Sequence, residues 1–273
     1  MNLRIVSRGN AFNEAFQDER LAPTKKYIAF FRFYAELNDF LPFERKQVAF
    51  AHEVNGRRSV KDVIESLGVP HTEVDLILVN GESVDFSCHV ENRDRISVYP
   101  VFESLDIGPV LRVRPRPLRA TKFVVDIHLG RLAAYLRMIG FDTLYEREAA
   151  DETLAHLSSR ENRILLTRDQ GLLKRSLVTH GYCVRENLPR KQLAEVIRRF
   201  DLRSSAQPFC RCMQCNSLLE TVSKEAILER LPPLVQQRHH EFHQCSSCRK
   251  VYWAGSHYQR MKILCDSLLN PAN

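Results

Sequence analysis

Between residues 122 and 200, short apolar runs alternate with stretches of helical periodicity, and acidic residues stand where the runs stop. Asp126 ends Phe123-Val124-Val125, Asp169 follows Ile164-Leu165-Leu166-Thr167-Arg168, and Asp151 opens a helix-like stretch soon after Leu144-Tyr145. Alternation of strand and helix predicts a parallel sheet wrapped by helices, because parallel neighbours need a crossover that lies on a face of the sheet. In such an open sheet the carboxyl ends of the strands line the crevice that takes ligands. Three acids far apart in sequence are then expected to converge. Neighbouring carboxylates raise one another's pKa unless a cation intervenes, and hard oxygen donors with room for water select Mg²⁺ or Mn²⁺ over Zn²⁺. Phosphodiester hydrolysis is the leading reading of the pattern.

The chain has 273 residues, more than one domain usually holds. Its formal charge of +7 and pI near 9.0 suit a polyanionic partner. No apolar run is long enough for a membrane span, and residues 1–24, mixed in charge, read as a mobile leader rather than a signal peptide. Five of the eight cysteines crowd into Cys210 to Cys248 in paired spacing, which favours metal ligation over disulfides and a cytoplasmic location.

Residues 25–101 form one unit. The aromatic run Tyr27 to Tyr34 reads as a strand, Asn38 to Pro42 as a turn, and Gln47 to Ala51 as the returning strand. Ser59 caps a helix from Val60 to Leu67, Leu76 to Val79 is a buried strand, Asn80-Gly81 a hairpin, and Asp94 to Pro100 a closing strand. This order resembles the ubiquitin-like β-grasp of small sulfur carriers, an α+β fold, but lacks their terminal Gly-Gly, so a binding or scaffolding role is expected. Residues 102–120 read as a linker in which Arg112, Arg114, Arg116 and Arg119 interleave with Pro115 and Pro117. Such a strip either holds a nucleic-acid backbone or is a solvated connection.

Residues 121–205 are expected to form the α/β core, with Leu129, Leu132, Ala133, Leu136 and Ile139 on one helical face. Strands are predicted at Phe141 to Tyr145, Ile164 to Thr167 and Tyr182 to Arg185, and helices at Asp151 to Ser159, Gln170 to Leu177 and Pro189 to Phe200. Residues 206–273 carry Cys212-x-x-Cys215 and Cys245-x-x-Cys248, four thiolates at the spacing of a structural zinc ribbon. Ser223 to Leu231, ended by Pro232-Pro233, reads as a helix inserted between the pairs. Cys210, His239, His240 and His243 are alternative ligands, whereas Cys88, Cys183 and Cys265 read as buried apolar residues. Trp253, Tyr252, His257 and Tyr258 either stack on unpaired bases or cover the ribbon.

Val125-Asp126-Ile127-His128-Leu129-Gly130-Arg131-Leu132-Ala133, Leu136-Arg137, Gly140-Phe141-Asp142-Thr143, Ala150-Asp151-Glu152-Thr153-Leu154 and Arg163 to Asp169, in that order, closely resemble the Mut-seven C-terminal ribonuclease family, a branch of the PIN-like nucleases. The resemblance runs on through Arg211 to Asn216, His243 to Cys248 and Tyr252 to Tyr258, and the upstream β-grasp unit resembles the ubiquitin-like domain fused to this family in bacteria. It implies a PIN-like parallel-sheet core and a metal-dependent endoribonuclease in which Asp126, Asp151 and Asp169 hold Mg²⁺ or Mn²⁺. Glu152 is a candidate outer helper and Glu186 a candidate fourth acid. Arg131 and Arg168 are the first candidates for the RNA phosphates, ahead of Arg137, Lys174 and Arg175, and His128 for orienting water. The plainer reading of the three aspartates is helix capping. RNA is the expected substrate and a protein partner is expected at the β-grasp domain. The rival function is a noncatalytic RNA-binding or adaptor protein.

Overall fold

The computed structural model describes residues 26–100, 112–113 and 121–270. The expected leader, and Arg114, Arg116 and Arg119 of the expected linker, lie outside them.

Strand β1 (Lys26–Phe33) alternates as its sequence requires: Ala29, Phe31 and Phe33 are buried, while Ile28, Phe30 and Arg32 face outward. It pairs antiparallel with β2 (Phe50–Asn55). Helix α1 (Val60–Ser66) starts where Ser59 Oγ accepts the Asp62 N–H, and buries Val60, Val63 and Ile64 against the sheet. Strands β3 (Leu76–Val79) and β4 (Glu82–Val84) are joined through Asn80 and Gly81, both at positive φ, as the two-residue hairpin demands. With β5 (Arg95–Tyr99) the sheet order is β2-β1-β5-β3-β4, in which only β1 and β5 run parallel. This is the β-grasp arrangement. Val113 packs on its core.

Two details differ from expectation. The turn at 38–42 is a pair of 3-10 helices, Ala35–Phe40 and Phe43–Arg45, and the returning strand begins at Phe50 instead of Gln47. Asn38 is the cause: its amide donates to the Phe33 and Ala35 carbonyls and its Oδ1 accepts the Gln47 N–H at 2.6 Å. Gln47 is thereby held at φ +59, outside strand geometry.

The second sheet has the order β7-β6-β8-β9, all parallel, from β6 (Phe123–Val125), β7 (Thr143–Tyr145), β8 (Ile164–Thr167) and β9 (Gly181–Cys183). Phe123, Val125, Ile164, Leu166 and Tyr182 face one side, against α2 (Gly130–Met138) and α5 (Pro189–Arg199). Val124, Leu165 and Cys183 face the other, with α3 (Asp151–Glu161) and α4 (Gln170–Leu173). Strands buried on both faces explain the unbroken apolar runs. Helix α4 is half the expected length: after Leu173 tight turns return the chain, so that Val178 is buried before β9 starts.

Strands β10 (Leu219–Val222), β11 (Phe242–Cys245) and β12 (Val251–Trp253) form an antiparallel ribbon. The insertion is a 3-10 helix, Glu225–Arg230, followed by α6 (Pro233–Arg238). Pro233 therefore opens a helix, as proline at a first helical position does, where the sequence reading had it close one. Ile227, Leu231 and Phe242 make the ribbon's small core. Helix α7 (Ser256–Leu269), not anticipated from the sequence, returns to the parallel sheet and buries Cys265 among Met261, Leu264 and Leu268.

The β-grasp domain closes the open edge of the parallel sheet. Glu73, with no exposed surface, accepts the Cys183 backbone N–H of edge strand β9 at 2.5 Å and pairs with Arg185 Nη2 at 3.4 Å. His71 bridges Glu65 and the Val178 carbonyl, and Lys174 Nζ donates to the Glu65 carbonyl. Burial pushes the Glu73 carboxyl above its ordinary pKa, with Arg185 and Arg199 opposing that rise. Glu73→Ala leaves a buried amide and a guanidinium short of a partner, and is expected to cost about 3 kcal/mol or more, read as a lower urea midpoint.

Candidate active site and metal centre

The sheet order places β6 and β8 side by side while their connections depart in opposite directions, so their carboxyl ends form the switch point where open α/β sheets bind ligands. Asp126 follows β6 and Asp169 follows β8. Thr167 ties them together. Its hydroxyl donates to Asp126 Oδ2 at 2.6 Å and accepts the Asp169 N–H at 2.9 Å, which fixes the single proton on the Asp126 side. Asp126 is buried and its side chain caps no helix, whereas Asp169 Oδ1 caps α4 by accepting the Gly171 N–H at 2.7 Å. The capping expectation thus holds for Asp169 alone. Asp151 is the first residue of α3 rather than its cap, half-exposed, with Oδ2 3.9 Å from Arg175 Nη2.

A cleft of about 810 Å³ opens at these strand ends. His128, Leu129, Gly130 and Arg131 line it after β6, Tyr145 at the end of β7 and Arg147 beyond it, Arg168 after β8, and Asn187, Pro189 and Gln192 after β9. Every fully ionised side chain in that lining is an arginine. Tyr145 closes over the start of α2 and donates to the Ile127 carbonyl at 3.2 Å. A Cβ at Gly130 would stand 2.6 Å from the Tyr145 hydroxyl, so any larger residue there displaces the Tyr145 ring.

Arg131 and Arg168 both line the cleft. Arg137 does not: it is buried, donating to the Thr143, Met213 and Gln214 carbonyls, and so anchors the ribbon. Lys174 is engaged at the β-grasp domain and Arg175 beside Asp151. Glu152 is exposed, 4.0 Å from His156 on its own helix. Glu186 lines a separate cavity instead of the cleft. Thr167 escaped the sequence reading, although a polar residue ending the run Ile164-Leu165-Leu166 was its signal. Tyr145, Arg147, Asn187 and Gln192 gave no local signal, since only the fold brings their loops together.

Among the described residues, the one acidic, histidine or cysteine group whose ligand atoms all lie within 4.8 Å of one another is Cys212, Cys215, Cys245 and Cys248. The three aspartates do not draw together to that distance. The cysteine sulfurs stand 3.6 Å apart for Cys212 and Cys248, and 3.3 Å for Cys215 and Cys245. Zn–S bonds of about 2.3 Å in a tetrahedron place sulfurs about 3.8 Å apart, so the quartet fits a closed structural zinc site. Burial alone would raise the Cys215 thiol, but the Ser217 N–H and the neighbouring thiols bring it down to about 6, while burial pushes Cys248 up to about 12. Tyr252 turns its hydroxyl to Cys212 Sγ at 3.0 Å, Trp253 packs on the ribbon core and Tyr258 meets Phe209, so these aromatics cover the ribbon. Cys210 and the three histidines stay outside the quartet.

The first cysteine pair is welded to the parallel sheet. Asn216, at φ +74 just after Cys215, accepts the Thr143 N–H and donates to Asp142, which also holds Arg163 at 2.7 Å. Burial opposes the Asp142 charge, yet the Arg163 and Asn216 hydrogen bonds keep its carboxyl below the usual range.

Residues 121–265, more than half of the chain, match the family model described as the Mut7-C RNAse domain. The chain belongs to this family. Residues 26–106 match the model described as Mut7-C ubiquitin, in agreement with the β-grasp topology. Neither a curated protein nor a solved structure matches. The Mut7-C RNAse region embraces sheet and ribbon as one unit, as the Arg137 and Asn216 contacts do physically. Among the described residues no helix is long and apolar enough to cross a membrane.

Trp253 is the single tryptophan of the chain and lies five residues beyond Cys248. Metal removal by a strong chelator, or Cys245→Ser, is expected to shift its fluorescence and lower thermal stability, and re-added Zn²⁺ should restore both in the unsubstituted protein only.

Proposed function

We propose that the chain is a metal-dependent endoribonuclease, with Asp126, Asp169 and Asp151 holding Mg²⁺ or Mn²⁺ at the carboxyl edge of the nuclease sheet. The observation that carries the reading is the pair at the switch point, Asp126 and Asp169 joined through Thr167, beside a cleft whose ionised lining is all arginine. A polyanion is drawn to that cleft, and hard oxygens wait next to it. The donor set fits: two carboxylates on neighbouring strand ends, and a third, Asp151, held only by a half-exposed ion pair. Such a pair contributes about 0–1 kcal/mol, so little opposes its turning toward the other two.

When bound, the cation supplies a water of lowered pKa and offsets charge gathering on the phosphate oxygens. The protein's own groups do the remainder. Arg131 and Arg168 hold phosphates on either side of the scissile bond, and Arg147 adds a third donor from the β7 loop. Thr167 keeps the Asp126 carboxylate aimed and occupies one of its lone pairs. His128 and Tyr145, on the same wall, offer faces on which a base can rest. Water attacks phosphorus and the phosphorus–oxygen bond to the leaving nucleotide breaks. The match to the Mut7-C RNAse family supports RNA over DNA as substrate, and the β-grasp domain is a natural seat for a protein partner.

The second reading, a noncatalytic RNA-binding adaptor, is favoured by the aspartates' failure to gather as the cysteines do. Cleavage of a labelled single-stranded RNA with Mn²⁺ separates the two. Asp126→Asn and Asp169→Asn are expected to lower the rate by about 100-fold or more with the urea midpoint preserved; wild-type protein that binds RNA without cutting it favours the adaptor. Thr167→Val, which keeps shape and removes the hydroxyl, is expected to cost about 10- to 100-fold in rate. The unpaired Asp126 oxygen should also cost about 1–3 kcal/mol of stability.

A further inference from the structure

A second cavity, of about 550 Å³, lies between the two domains, with Glu36 contributed by the β-grasp side and Arg185, Arg198 and Arg199 by the nuclease side. Arg199 is only 6% exposed, and its Nε and Nη1 are buried without a hydrogen-bond partner among the described residues. Its neighbours attract it without accepting from it. The rings of Tyr182 and Phe200 lie 5.3 and 5.6 Å from the guanidinium carbon, and the Glu36 carboxylate stands 4.0 Å from Nε. A guanidinium has five donors and no acceptor, so Arg199 in the cavity wall attracts an anion with several oxygens.

The other charges around this cavity are largely committed. Glu195 accepts from the Tyr182 hydroxyl and from the backbone N–H groups of Arg185 and Glu186. Arg185 reaches Glu73 and Asp39. Arg199 remains, with exposed Arg198 beside it on α5 and with Glu36 and Glu186 opposing in charge.

Helix α5 links this cavity to the cleft. Pro189 and Gln192 line the cleft, and Glu195, Arg198 and Arg199 line the cavity, along one helix. Gln192 and Arg199 are separated along its axis by about 10 Å at 1.5 Å per residue, and adjacent Glu186 and Asn187 mark the divide between the two spaces. A strand leaving the cleft along α5 meets Arg198 and Arg199 next.

We propose that the interdomain cavity binds a phosphate group of the RNA strand through Arg199 and Arg198, so that the β-grasp domain forms one wall of the substrate path. This rests on the RNA reading given above. The test uses the full chain, without added divalent metal so that cleavage does not intervene, and measures binding of a fluorescent single-stranded RNA against salt, with inorganic phosphate as competitor. Arg198→Gln, a change at an exposed position, is expected to weaken RNA binding about tenfold, the worth of one charged contact, and to make the log–log salt slope shallower by about 0.7. Glu36→Gln removes the competing carboxylate and should tighten binding of RNA and of phosphate, a gain that a merely structural Glu36 would not give. RNA binding indifferent to both substitutions overturns the subsite and leaves the nuclease reading standing. Phosphate binding that responds to both in a chain that binds no RNA overturns the strand as ligand, and the RNA reading with it.

Discussion

The four parallel strands of the nuclease sheet are buried on both faces, and the remaining structure follows from that constraint. Helices α2 and α5 cover one side, α3 and α4 the other, and neither face leaves room for polar chemistry. Polar side chains are confined to the strand ends, where Asp126, Thr167, Asp169 and the arginines of the cleft are found. The site is thus a consequence of the core. Phe123 to Val125 must be apolar to lie between two helical layers, and the chain can first afford a charge at position 126.

The same constraint creates a liability at the sheet edge and a solution to it. Strand β9 has a neighbour on one side only, and an unpaired edge is a template for wrong pairing. Glu73 takes the Cys183 N–H from the open side, and Phe40 packs on the core behind it. The price is a carboxylate without solvent, which Arg185 offsets. At the other end of the molecule the ribbon is fastened through buried polar groups as well, Arg137 to the carbonyls around Cys215 and Asn216 to Thr143 and Asp142. Hydrogen bonds of fixed direction set the orientation of these appended units in a way that apolar contact alone would not.

Sequence legibility divides along the same line. The four strands of the parallel sheet and α2, α3 and α5 were visible because burial imposes a local period, and the Asn80-Gly81 hairpin and the cysteine pairs because they need particular residues at fixed spacing; the ribbon strands β10 to β12 were not. What stayed hidden depends on partners remote in the chain. Arg137 looks like any surface arginine until residues 213 and 214 fold over it, and Glu73 like a loop acid until Cys183 arrives 110 positions later. The late start of β2 was invisible for a subtler reason, since the Asn38 side chain captures Gln47 across nine residues with no periodic signature. Helix α7 did carry one, Met261, Leu264, Cys265 and Leu268, that the sequence reading passed over.

These buried attachments bear on how substrate is held. A tethered β-grasp domain would leave the nuclease edge as a flat, one-sided surface, whereas Glu73, His71 and Lys174 fix it against β9 and turn that edge into a walled space. Single-stranded nucleic acid is held best by a groove that follows its backbone, because each phosphate then meets a donor already in place and little ordering entropy is lost. Helix α5 runs from the cleft at Pro189 to the interdomain cavity at Arg199, with Leu193, Val196 and Ile197 buried in the main core. On the proposed reading, the packing that stabilises the sheet would also set the spacing of the donors along α5. A change in the apolar face of α5 would be felt at the cleft and at the interdomain cavity together.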